Sequence, residues 1–138
     1  MSISLKFVQM IYDFAKQEYP SRVYDKAHLT LMDYLCVTAA GNRALQYKFE
    51  DLKSSDSGIN TIIGLDGQYS MMQAAMVNAY SSHYLELDDG HRGGMIHLGS
   101  PMITAILMQA ETEKWDNKKI LDAIIIAYEA AIVLAKAI

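Results

Sequence analysis

Seven side chains able to carry charge or protons fall within fifteen residues: His83, Glu86, Asp88, Asp89, His91, Arg92 and His97. Imidazole titrates near neutrality, and a neighbouring carboxylate can hold it in one tautomer, so the segment suits proton transfer. Arg92 has the planar fork that clamps a substrate carboxylate through two parallel hydrogen bonds. Gly90, Gly93 and Gly94 allow sharp backbone turns and close approach to a ligand. Asp88, His91 and His97 are also possible metal ligands. However, the chain has no HExxH, no cysteine pair and no EF-hand loop, so no metal is expected. Asp88-Asp89-Gly90 is also a common turn string, so one aspartate is expected to face the site and the other to bind backbone N–H groups of its own turn.

The elements that must position this segment are helices. Phe7, Met10, Ile11, Phe14 and Ala15 recur at helical spacing, with Ser4 as a cap and Tyr19-Pro20 as the stop. Ala27, Leu31, Tyr34, Leu35 and Thr38 mark a second helix over 23–40, which Gly41-Asn42 is expected to close. Residues 44–52 suit a short helix before the Ser54–Gly58 turn. Ile59 to Ile63 is the one strand-like run, bracketed by Gly64 and Gly67. Ser70 is the expected N-cap of a helix through Ser82. Ser100 then caps another, with Pro101 at its first position and its end near Trp115. Asp116 caps a last helix over Ile120, Leu121, Ile124, Ile125, Tyr128, Ile132 and Ala135. The last two helices are apolar nearly all round, as for central helices covered by others. The predicted fold is a single all-α domain, 1–138, of five or six helices in a bundle-like arrangement. It stops in mid-helix at Ala137-Ile138, the pattern expected of a fragment or a shortened relative of a longer protein.

Bulk properties narrow the function. The chain has 138 residues, 51% of them hydrophobic, and a net charge of -4, enough for one buried core. An acidic balance with scattered basic residues argues against nucleic acid and anionic membrane surfaces. No signal-peptide pattern and no apolar run long enough to span a bilayer are present, so a cytoplasmic protein is expected. The single Cys36 sits among Leu35, Val37 and Ala39 and reads as an inert buried thiol. His83 reads as a packed or surface histidine, and Tyr128-Glu129 as a buried polar pair. His28 and Glu111 look structural, and Met71, Met72 and Met76 read as core or interface.

The segment also resembles a known family. Leu85-Glu86-Leu87-Asp88-Asp89-Gly90-His91-Arg92, then Met95-Ile96-His97 and Ser100-Pro101-Met102-Ile103, is similar to the signature of the MmgE/PrpD family. Weaker likeness extends to 23–37, to Ala74–Ala79 and to Ala127-Tyr128-Glu129. The family includes 2-methylcitrate dehydratases, cis-aconitate decarboxylases and iminodisuccinate epimerases. The resemblance implies a small di- or tricarboxylate substrate, proton movement next to a carboxylate, no cofactor, and a homodimer formed through helices. It places Glu86, Asp89 and His97 as catalytic residues, and the chemistry of the segment adds Asp88, His91 and Arg92 as expected substrate contacts, with an exposed surface pair the other reading of His91-Arg92. Gly90 stands where threonine is commoner, and Leu98 where proline is usual. Members add an α+β lid domain and further active-site groups, and this chain corresponds only to the first part of their helical domain. The alternative from a different class is a non-catalytic helical dimerisation domain.

Overall fold

The computed structural model describes residues 2–45 and 58–137. Among these, five helices account for the architecture: α1 (Ile3–Phe14), α2 (Ser21–Leu45), α3 (Met71–Tyr84), α4 (Gly99–Glu113) and α5 (Asn117–Ala137). No strand forms among the described residues, where isolated bridges pair Asn60 with Tyr69 and His91 with Ile96. The all-α expectation holds. α2 is the hub: it packs on α3, α4 and α5, while α1 touches α5.

The main core is built from Ala27 and Tyr34 of α2, Ile103 of α4, and Leu121, Ile124 and Ile125 of α5. A second cluster joins Ile62 and Tyr69 to Ala74 and Val77 of α3 and Met108 of α4. Most polar groups inside the bundle are paired, as burial demands, the exceptions among the described residues being Asn42 Oδ1 and Ser81 Oγ. The Tyr34 hydroxyl lies 2.6 Å from Thr104 Oγ1. At the edge, the Tyr24 hydroxyl donates to Asp122 at 2.7 Å and so ties α2 to α5.

The strand-like run shows why periodicity alone misleads. Asn78 accepts from the Ile63 N–H at 2.9 Å and donates to Thr61 O at 2.9 Å. Glu111 accepts from the Thr61 N–H at 3.0 Å, and Asn42 donates to Ile63 O at 2.6 Å. Side chains take the hydrogen bonds that a partner strand would have supplied. Glu111 is therefore structural, as expected.

Several boundaries differ from the sequence reading. Ser2, not Ser4, caps α1, accepting from the Leu5 N–H at 3.3 Å. α4 begins at Gly99 rather than at Ser100, whose hydroxyl instead donates to Ala79 O on α3 at 2.9 Å. Pro101 still lies in the first turn, where its missing N–H has no helical acceptor. Ser70 does cap α3, in a reciprocal pair with Gln73. Asp116 accepts from the Lys119 N–H at 2.7 Å at the start of α5. The expected helix over 44–52 and the Ser54–Gly58 turn fall almost wholly outside the described residues.

Burial also departs in three places. Cys36 is exposed, not buried. It lies two residues from both Tyr34 and Thr38, hence roughly 200° around the helix from that buried face. Met71, Met72 and Met76 are all exposed, so they are not core. α5 buries Leu121, Ile124 and Ile125 and keeps the rest of 120–133 half-buried, but its end is uncovered, with Leu134 exposed.

Gly41 does not end α2, which continues to Leu45. Its role is close approach: a Cβ there would lie 1.9 Å from Ser81 O and 2.8 Å from Ser81 C. The missing side chain lets α2 and α3 pack nearly backbone to backbone. Gly41→Ala should therefore lower unfolding stability by about 2–3 kcal/mol in denaturant titration, despite alanine's better helix propensity. Unchanged or increased stability would contradict this contact.

Candidate active site

The acidic loop connects the end of α3 to the start of α4. His83 sits in the last turn of α3, and Glu86 follows with φ 53°, a left-handed conformation that turns the chain out of the helix. The segment then folds into a tight hairpin. The His91 N–H donates to Ile96 O at 2.8 Å, and Met95 adopts φ 51°. At Gly94 a Cβ would lie 2.9 Å from the Ala135 Cβ, so glycine lets the hairpin lie on the end of α5.

Adjacent aspartates turn to opposite sides. The Asp88 side chain is only 2% exposed, and both histidines of the α3–α4 junction converge on it. His83 Nδ1 lies 2.9 Å from Asp88 Oδ2, and His97 Nδ1 lies 3.2 Å from the same oxygen. The two imidazoles meet edge to face with centroids 5.2 Å apart. Asp88's hydrogen bond and charge, with Glu86 3.6 Å away adding to them, raise the His83 pKa above its ordinary value against a small opposing effect of burial.

Asp89 faces the other way. Its Oδ1 accepts from the Gly99 N–H at 2.7 Å, and its Oδ2 accepts from the Tyr128 hydroxyl at 2.8 Å. The first bond caps α4, whose preceding residue Leu98 offers no side-chain cap. An anion here also meets the positive end of the helix dipole. Gly99 has no room for a side chain, since a Cβ would lie 2.7 Å from Asp89 Oδ1. Burial first, then the hydrogen bond to Asp89 and the charges of Asp89, Asp33 and Asp88, push the Tyr128 pKa far up. The phenol is thus a neutral donor locked to a carboxylate.

The loop forms a wall between two hollows. One, of about 620 Å³, is lined by Met76, Tyr80, His83, Tyr84, Glu86 and Ser100. The other, of about 630 Å³, lies between α2 and α5 and is lined by Lys26, Asp33, Asp89, His91 and Tyr128, among others. Glu86, Asp88 and His97 are therefore grouped with His83, whereas Asp89 lies on the far side. His91 is folded onto its own hairpin, its Nδ1 accepting from the Gly94 N–H at 3.0 Å. Arg92 is exposed and forms no ion pair among the described residues.

Two participants, His83 and Tyr128, carry only structural readings in the sequence. His83 lies five residues before Asp88, a spacing with no periodic meaning where a helix ends between them. Tyr128 lies 39 positions from Asp89, and only the packing of α5 on the loop brings them together. The aspartate that binds backbone N–H does so ten residues away, at a helix start, not within its own turn. Asp89→Ala should cost about 2–4 kcal/mol and Tyr128→Phe about 1–2 kcal/mol, because each leaves a partly buried polar partner unpaired. The double variant should show a coupling energy of about 1 kcal/mol or more in a double-mutant cycle. Additive losses would contradict the bond.

No match was found among curated proteins or among solved structures. The sequence family described as the MmgE/PrpD N-terminal domain matches residues 6–138, nearly the whole chain and all of the helices except the first residues of α1. With nearly its whole length matched, its acidic loop between α3 and α4 included, the chain belongs to the MmgE/PrpD family.

Proposed function

We propose that this chain is the helical portion of a lyase or isomerase that acts on a small di- or tricarboxylate, in the manner of a 2-methylcitrate dehydratase, by moving a proton next to a carboxylate. The observation that carries this reading is the buried Asp88 carboxylate behind His97. Hydrogen bonding at Nδ1 fixes the ring and places its proton there, leaving Nε2 as the basic atom. The His97 side chain is 47% exposed, so a substrate can reach it. Glu86 stands beside His83 at the same hollow. Arg92 is unpaired among the described residues and available to a substrate carboxylate, with His91 at the turn beside it. Asp89 supports the loop through Gly99 and Tyr128. Other walls of such a site, including a lid, lie outside this chain's helices in the family's known architecture.

A second reading is a helical dimerisation domain. It is favoured by the exposed face of α3, where Met72, Met76, Tyr80 and Tyr84 follow one another at four-residue steps, with Met72 79% exposed. No helix among the described residues is long and apolar enough to cross a membrane, so this face is not part of a helical span.

Turnover of 2-methylcitrate, cis-aconitate and iminodisuccinate by the complete gene product separates the readings. The enzyme reading predicts conversion of at least one, with exchange of solvent deuterium into the carbon next to a carboxylate. His97→Gln should lower kcat by about 10²–10⁴-fold. No turnover of any small polycarboxylate, together with a stable dimer in light scattering, would leave only the second reading.

A further inference from the structure

We propose that His83, Asp88 and His97 form a binding site for a divalent transition-metal ion of the zinc class. The three side chains offer two imidazole nitrogens and one carboxylate oxygen that all lie within 4.8 Å of one another. This is the donor set that suits Zn²⁺, Co²⁺, Ni²⁺ or Cu²⁺ rather than Ca²⁺ or Mg²⁺, which favour oxygen alone. The sequence suggested Asp88, His91 and His97 as possible ligands, but His91 is bound to its own turn and His83 takes its place.

The geometry is close to what a metal requires. Tetrahedral bonds of about 2.0–2.1 Å set ligand atoms roughly 3.3 Å apart. The imidazole-to-carboxylate separations are 2.9 and 3.2 Å, within a few tenths of an ångström of that value, and all three ligand atoms lie within 4.8 Å of one another, so an ion would draw the two imidazoles together around Asp88. Asp88 is held in the protein wall, and each imidazole comes from a different side of the junction, one from α3 and one from the residues before α4. Both rings are 47% exposed, which leaves an access path and open coordination positions for water or a ligand carboxylate. A carboxylate 2% exposed also needs compensating positive charge, and among the described residues only the two imidazoles, with no lysine or arginine, pair with it. A divalent cation supplies that charge at neutral pH.

The site shares Asp88 and His97 with the proposed reaction, and an ion would take the place of the hydrogen bond between them; occupancy is read without turnover, so the two readings fail separately. Metal-free full chain titrated with Zn²⁺ in a calorimeter should bind one ion. His83→Ala and His97→Ala should each weaken binding by at least about tenfold, while His28→Ala, an exposed histidine on α2, leaves it unchanged. Circular dichroism confirms that the variants keep their helices. As a second readout on the unmodified chain, Co²⁺ should give visible ligand-field bands that one equivalent of Zn²⁺ abolishes. Absence of both binding and bands, or equal binding by all three variants, would overturn the proposal, whatever the turnover experiments show.

Discussion

The arrangement of the loop depends on the Asp89 carboxylate, which is shared between the first N–H of α4 and the Tyr128 hydroxyl of α5. A helix start leaves N–H groups without acceptors, and a half-buried phenol needs a partner. One anion satisfies both and fixes the loop to two helices at once. With Asp89 turned inward, its neighbour Asp88 is presented to the other side, where His83 and His97 close over it. The side to which Asp88 is presented therefore follows from bonds made by its neighbour, which faces away from that cluster.

Close approach of helices sets the frame for this bond. Gly41 lets α2 lie on the Ser81 backbone, Gly94 lets the hairpin lie on Ala135, and Gly99 leaves space for the Asp89 carboxylate. α3 buries Ala74, Val77, Asn78, Ser81 and Ser82, mostly small residues, so little side-chain volume separates it from α2 and α4. A bundle of this kind holds its loops by backbone proximity more than by bulky packing. Its outer surfaces stay apolar where no helix covers them, as on α3 at Met72 and Met76.

Several local signals in the sequence held, although Ser4 and Ser100 do not cap their helices. The Ser70 cap, the Asp116 cap and the all-α class follow from spacing and capping chemistry, and the location of the acidic loop follows from composition. The sequence misplaced features that depend on contacts far along the chain. Gly41 carries the signature of a helix end, yet it is glycine because Ser81 crosses there. Ile59–Ile63 has strand propensity, but asparagine and glutamate side chains take its hydrogen bonds. Cys36 has apolar sequence neighbours, yet a helix sends adjacent residues to different faces. Within the site, the family's motif pointed to Glu86, Asp89 and His97, whereas the bond of Asp89 to Gly99 and Tyr128 and the pairing of His83 with Asp88 required the fold.

The most direct test of this account is the ¹H–¹⁵N spectrum of the chain with and without Asp89. In the unmodified chain the Gly99 amide proton, held in a 2.7 Å bond to a carboxylate, should resonate well downfield and exchange slowly with solvent. In a folded Asp89→Ala variant it should move upfield and lose protection, and the His83 and His97 imidazole signals should shift with it. A Gly99 amide that is unprotected from the outset, or histidine signals that stay fixed when it moves, would contradict the claim that this bond positions the site.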